Sequence, residues 1–258
     1  MNVVVITGAS GGIGAEFARQ LDNGLRSIDE FWLIGRNEIK LNKLAKALKH
    51  DVRIFLLDVT DELGLDEFEG FLTKYDAKVR MLINCAGYGI VGNFARADRE
   101  GTLGMIRTNC EALTSVTHRL IPYMRRNSRI IQLASSAAFL PQQDFAVYAA
   151  SKAYVHSFTR ALNRELKERR IYVTSVCPGP VDTDFFALAE LRGKSVFEFK
   201  KYTMASPEAV VQKALRDSVC KREVSVYGVL INMFNIVSKL FPHKCILDLL
   251  ALYKRIHG

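Results

Sequence analysis

Val3-Val4-Val5-Ile6-Thr7-Gly8-Ala9-Ser10-Gly11-Gly12-Ile13-Gly14 passes without a break from an apolar run into a glycine loop, and a helix-period segment from Ile13 to Asn23 follows. The apolar run does not alternate, as expected of a strand buried on both faces. A strand that turns through glycines into a helix presents backbone N–H groups and the positive end of a helix dipole to an anion. Gly8, Ser10, Gly11, Gly12, Ile13 and Gly14 are therefore candidates for holding a dinucleotide pyrophosphate. Gly8 permits the tight turn, Gly12 the approach of the phosphates, and Gly14 the contact of helix with sheet.

Outward from this loop, further apolar runs read as strands: Phe31 to Ile34, Arg53 to Leu57, Met81 to Asn84, Arg129 to Leu133 and Ile171 to Val176. Segments such as Glu38 to Lys49, Leu103 to Arg125 and Tyr148 to Arg169 lie between them and are long enough to be crossover helices. This repeated strand-helix-strand pattern predicts an α/β fold: a single doubly wound parallel sheet of about seven strands, helices on both faces, and a helical C-terminal extension. No repeat or linker divides residues 1–258, so one domain is expected.

Composition agrees with a packed domain, because 49% hydrophobic and 24% charged residues exclude disorder and fibrous repeats. The net charge is +9, and residues 192–258, with twelve basic and five acidic side chains, hold +7 of it. That basic end suits either plain solvation or an anionic surface. The five cysteines are dispersed and form no C-x-x-C, which suggests a reducing compartment and no metal site. Val3 to Ile6 is too short for a signal-peptide core, and the longest uncharged window, Val224 to Ser238, is too short to span a bilayer. A cytoplasmic protein is expected, with surface association at a membrane as a variant of that reading.

Arg36, in Gly35-Arg36-Asn37 after the second strand, stands where a dinucleotide site needs a carboxylate for ribose hydroxyls or a cation for a 2′-phosphate, so NADP(H) is favoured over NAD(H). Tyr148 and Lys152 are four residues apart and share one helix face. An adjacent ammonium favours a phenolate and would move the Tyr148 pKa toward working pH. Ser135 precedes Tyr148 by thirteen residues at the end of a strand, where its hydroxyl could polarise a carbonyl; Ser136 is the neighbouring alternative. Asn84-Cys85-Ala86-Gly87 ends another strand at the same edge. Gly8-Ala9-Ser10-Gly11-Gly12 also matches the G-x-S-x-G nucleophile elbow of α/β-hydrolases, a reading that needs an acid and a His and does not explain Gly14.

Together these residues resemble the short-chain dehydrogenases/reductases, a Rossmann-like family, over nearly the whole chain. Thr7 to Gly14 is similar to its T-G-x-x-x-G-x-G loop, Asn84 to Gly87 to its N-N-A-G motif, Tyr148 and Lys152 to its Y-x-x-x-K pair, and Pro178 to Thr183 to its P-G-x-x-x-T stretch. The resemblance implies hydride transfer between a nicotinamide and a carbonyl or alcohol carbon. It implies Tyr148 as proton donor, Lys152 as its helper and ribose ligand, Ser135 as alkoxide stabiliser and Asn109 as anchor of a proton-passing water. By the same resemblance Asp58 and Val59 lie near the adenine, Asn84, Ala86 and Gly87 along the dinucleotide, and Pro178, Gly179, Val181 and Thr183 near the nicotinamide. Cys85 replaces the motif's second Asn, and Phe139 stands where relatives often carry Gly, which would narrow the substrate pocket.

The segment 184–206, with Phe185, Phe186, Phe197 and Phe199, has no clean period and reads as a substrate loop favouring an apolar carbonyl or alcohol, such as a fatty acyl or steroid-like compound. Ser206, Pro207 and Glu208 then start a helix. A short strand near Val224 to Tyr227 and two amphipathic helices, Val229 to Phe241 and Cys245 to Ile256, form the tail at 228–258. Partners expected beyond the substrate are a second copy, as homodimer or homotetramer, and a peripheral membrane contact through the basic tail; nucleic acid is not expected. An NADPH-binding sensor or scaffold without turnover is the alternative function.

Overall fold

The computed structural model describes residues 1–24, 27–183, 185 and 204–249. Its strands are β1 (Asn2–Thr7), β2 (Glu30–Gly35), β3 (Asp51–Leu56), β4 (Lys78–Asn84), β5 (Met124–Leu133), β6 (Tyr172–Val176) and β7 (Val224–Ser225). They form one seven-stranded sheet in the order β3-β2-β1-β4-β5-β6-β7, and every neighbouring pair is parallel.

The unbroken apolar character of β1 has a direct cause. Val3 and Val5 face one side of the sheet, where α3 (Glu62–Lys74), α5 (Leu113–Leu120) and α6 (Ala146–Glu165) supply Phe68, Leu72, Val116 and Leu162. Val4 and Ile6 face the other, where α1 (Gly12–Gly24), α2 (Glu38–Ala45) and α7 (Pro207–Val219) supply Phe17, Leu21, Leu41 and Val211. Each of the larger side chains contributes roughly 1.5–3 kcal/mol on burial. By contrast β3 is one of the two edge strands and only half-buried, so its apolar run does not mark burial on both faces.

Three boundaries depart from the sequence expectation. The segment 38–49 is helical only to Ala45: Ala47 and Leu48 tighten to bonds with Leu44 and Ala45, and the buried carboxylate of Asp22 then takes the N–H groups of Lys49 and His50, each at 3.0 Å. The expected helix from Leu103 to Arg125 is instead α4 (Arg99–Ile106), a π-helical turn (Arg107–Ala112), α5, and a 3-10 turn ending at Tyr123. Strand β5 then begins at Met124, with its register against β4 jumping from Met124 to Arg129 and Asn127 at φ +67°. Near the C-terminus, Ser206 caps α7 through the Ala209 N–H, with Pro207 in its first turn. β7 is only two residues long, α8 spans Val229–Leu240, and residues 243–249 are helical. The expected loop at 184–206 is described only at Phe185 and from Met204 onward; Phe186, Phe197 and Phe199 lie outside the described residues, as does the tail beyond Leu249.

The chain leaves β1 for α1 on one face and leaves β4 for α4 and α5 on the other. The two loops diverge, which opens a crevice at the carboxyl ends of the central strands, where ligands bind in such sheets.

Candidate active site

A cleft of about 380 Å³ occupies this crevice. Among the residues expected to act, Gly8, Ser10, Gly11, Gly12, Ile13, Gly14, Arg36, Asp58, Val59, Ala86, Gly87, Ser135, Tyr148, Lys152, Pro178, Gly179, Val181 and Thr183 all line it. Asn84 and Asn109 do not, for different reasons.

The glycine loop fits a dinucleotide pyrophosphate at the level of single atoms. Gly8 has φ +65° and Gly12 φ +52°, in the left-handed region that suits glycine. A Cβ on Gly8 would lie 2.7 Å from the Ala86 nitrogen, and one on Gly14 only 2.4 Å from the Gly8 carbonyl oxygen. The space beside Gly11 is open within 4 Å. The loop thus meets the backbone at the end of β4 while α1 starts toward the cleft with its first N–H groups lacking intrahelical acceptors.

Asn84 is buried in a brace. It accepts from Thr7 Oγ1 at 3.4 Å and donates to Thr117 Oγ1 and Gln132 Oε1, both at 3.0 Å. These bonds tie β1, β4, α5 and β5 together, so its side chain turns from the cleft and leaves its backbone as the part that would meet a dinucleotide. Asn109 sits fully buried in the π turn. Its Oδ1 accepts from the Tyr88 N–H at 3.0 Å, and its Nδ2 donates to the Tyr88 carbonyl at 2.9 Å and to Ser151 Oγ at 3.0 Å. Its side chain braces the loop after β4 against α6.

Tyr148 and Lys152 stand on successive turns of α6, both buried. The Tyr148 phenol is pushed up to about 12 by desolvation, while a hydrogen bond with Ser135 pulls the other way. Ser135 is itself oriented, because its Oγ accepts from the Ala137 N–H at 3.1 Å. Lys152 is pushed down to about 8 by burial, partly offset by the thiols of Cys85, Cys110 and Cys177. Its Nζ donates to the Leu133 carbonyl at 2.7 Å and lies 5.7 Å from the Tyr148 ring centroid. The shift runs opposite to the acidification expected from the ammonium neighbour, because desolvation is its largest cause and the Ser135 hydrogen bond its opposing one.

At the adenosine end, Arg36 Nη1 pairs with Asp58 Oδ2 at 3.2 Å. Lys40 also lines the cleft; sequence reading missed it, although its position four residues beyond Arg36, in the first turn of α2, was a usable signal. At the other end Phe145 stacks on Tyr148 with ring centroids 4.2 Å apart, and Phe185 lies 5.5 Å from the same ring. Gly89 leaves room for this stack, since a Cβ there would be 2.9 Å from both Phe145 and Tyr148 atoms. Phe139 does not narrow the cleft; it packs on His156 and Phe234 instead. Among the described residues no His lines the cleft, and His156 bonds Ser175 Oγ at 2.9 Å, so Ser10 has no triad partner and the hydrolase reading is set aside.

Comparison with known proteins agrees with this geometry. The family model described as short chain dehydrogenase matches residues 2–191. An uncharacterized oxidoreductase of Staphylococcus epidermidis is 32% identical over 216 residues, covering 81% of this chain and 93% of the relative. Sulfoacetaldehyde reductase 2 of Chromohalobacter salexigens is 35% identical over 193 residues, covering 71% and 74%. A short-chain dehydrogenase from Sphingobium yanoikuyae in complex with NADPH superposes with a TM-score of 0.76 at 28% identity, covering 88% of this chain and 87% of that one. With these matches, the doubly wound sheet and the cleft at its switch point are those of an NAD(P)-dependent oxidoreductase. The chain belongs to the short-chain dehydrogenase/reductase family.

Proposed function

We propose that the protein is an NADP(H)-dependent reductase of an apolar ketone or aldehyde, with Tyr148, Ser135 and Lys152 as its catalytic residues. The observation that carries this reading is that all three side chains open onto the same cleft as the Gly8 to Gly14 loop. When bound, the dinucleotide supplies the hydride that adds to the carbonyl carbon.

The chain's residues handle the remaining chemistry. A phenol held near 12 by burial is fully protonated at neutral pH, so Tyr148 can give a proton to the carbonyl oxygen as charge develops there. Ser135, aimed by the Ala137 N–H, donates to the same oxygen. Lys152, near 8, keeps its ammonium at neutral pH and holds ribose hydroxyls beside Gly87, where a Cβ would lie 3.5 Å from its Nζ. Asn109 acts as a positioning residue through the Tyr88 backbone. Gly8 to Gly14 receives the pyrophosphate, Arg36 and Lys40 a 2′-phosphate, and Pro178, Gly179, Val181 and Thr183 the nicotinamide side.

Support for an apolar substrate comes from the aromatic wall of Phe145, Tyr148 and Phe185. Among the described residues lining the cleft, the cations are Arg36 and Lys40 at the adenosine end and Lys152 at the ribose. Among the described residues, an anionic substrate such as the one in the Chromohalobacter relative's name would find no further basic partner there. Exposed Ile106 and Tyr154 near the π turn and on α6 support homodimer or homotetramer formation through these helices. Oxidation of NADPH and NADH with a panel of aliphatic, steroid-like and sulfonated carbonyls tests the whole reading. Turnover of apolar carbonyls with NADPH is expected; turnover confined to sulfonated aldehydes, or none with either dinucleotide, overturns it.

A further inference from the structure

No helix among the described residues is long and apolar enough to cross a membrane, yet α8 carries an apolar face turned outward. Its inner side packs Ile231 and Phe234 against Phe139, Val155, Cys177 and Val226. Val229, Leu230, Met233, Ile236, Val237 and Leu240 are all exposed, Leu240 at 72%. At about 100° per residue these six fill one continuous arc beside the packed one. Exposed Phe241 and Leu249 extend the surface past the helix end. A contiguous apolar face of this kind differs from the scattered exposed Leu or Ile of any soluble surface.

Charge distinguishes between the occupants such a face could have. Lys239 flanks the apolar arc and Lys244 follows it, both exposed, against the acid Asp248 among the described residues 229–249. A second copy docked face to face across a two-fold axis would bring two basic rims together. An anionic bilayer complements them, and apolar residues bordered by lysines are the pattern of a helix lying in the interface.

The helix is also coupled to the cleft. Ile231 stands so close to Gly179 that a Cβ there would lie 2.7 Å from Ile231 Cδ1, and Gly179 lines the cleft. We infer that α8 seats in the surface of an anionic bilayer and sets the cleft mouth beside the lipid, so that an apolar carbonyl substrate enters from the membrane. The second half of this inference rests on the reductase reading above; the first half does not.

Flotation of the full chain with phosphatidylcholine vesicles, with and without phosphatidylserine, tests the seating. Binding is expected on the anionic vesicles, weaker on the neutral ones, and reduced by KCl. Met233→Glu combined with Ile236→Glu should lower it by more than about tenfold, because two exposed apolar side chains that the bilayer would bury are replaced by carboxylates, while reduction of a water-soluble ketone stays unchanged. The salt titration needs no variant and stands if the double variant misfolds. A lipophilic ketone dissolved in vesicles should be reduced by the wild type and at least several-fold more slowly by the double variant. Absence of vesicle binding, binding unaffected by the variant, or light scattering that shows a dimer dispersed by the same substitutions overturns the seating. Equal turnover of the vesicle-borne ketone by both proteins overturns delivery from the membrane. No turnover of any carbonyl, with vesicle binding intact, would instead fault the reductase reading.

Discussion

Lys152 Nζ donates to the Leu133 carbonyl across the end of β5 at 2.7 Å. This bond anchors a buried ammonium to the end of the strand that leads into Ser135, so the cation and the serine keep their spacing through backbone geometry. Desolvation sets the Lys152 pKa at about 8, far enough down for its charge to titrate within a workable range.

Dinucleotide binding should therefore weaken with rising pH. Below about 8 the ammonium is present to hold ribose hydroxyls; above it the amine is neutral and that charge-assisted contact is lost. Titration of NADPH fluorescence from pH 6 to 10 should show affinity falling from about pH 8 upward. Lys152→Met should bind more weakly with a flat profile, and a wild-type profile that is itself flat would contradict the role given to Lys152.

Tyr148→Phe removes the proton donor and one hydrogen bond with Ser135 while keeping the stack on Phe145. Turnover should fall by about 10²–10⁴-fold, with NADPH affinity and melting temperature near wild type. Steady-state kinetics beside a thermal melt separates lost chemistry from lost fold.

Gly14→Ala should be severe and Gly11→Ala mild for stability. The first places a Cβ 2.4 Å from a backbone oxygen that cannot swing aside; the second meets nothing within 4 Å. Overpacking of this kind costs roughly 1–3 kcal/mol, read as a lower urea midpoint together with lost NADPH binding. Equal midpoints for the two variants would refute the close contact between loop and helix.

Arg36→Ala should raise the NADPH KM by about tenfold or more relative to NADH, since hydrogen bonds to charged groups are worth roughly 1.5–3 kcal/mol. Unchanged discrimination would mean that Arg36 serves only its pairing with Asp58.

Acid stability should depend on His156. Burial, then the charge of Arg160, lowers its pKa to about 4 from the 6.5 usual for histidine. Between these values the unfolded chain binds the proton and the folded chain does not, so this residue's contribution is present above about 6.5 and is lost as pH falls toward 4. Urea midpoints across that window should flatten in His156→Gln, provided the glutamine keeps the Ser175 bond.

Much of this molecule is written in local patterns. Val3 to Gly14 by itself specifies a strand buried on both faces, a turn requiring positive φ at Gly8 and Gly12, and a helix start, because neighbouring residues and backbone sterics decide those features. The i, i+4 spacing of Tyr148 and Lys152 likewise places both on one side of α6. Tertiary structure decided what depends on residues distant in the chain. Asp22 holds the turn that follows α2, Asn84 becomes a brace between strands and α5, and Asn109 holds Tyr88 from inside a π turn. Burial, which no spacing reveals, raises the phenol and lowers the ammonium, since the cost of a charge depends on how much water the assembled fold leaves around it.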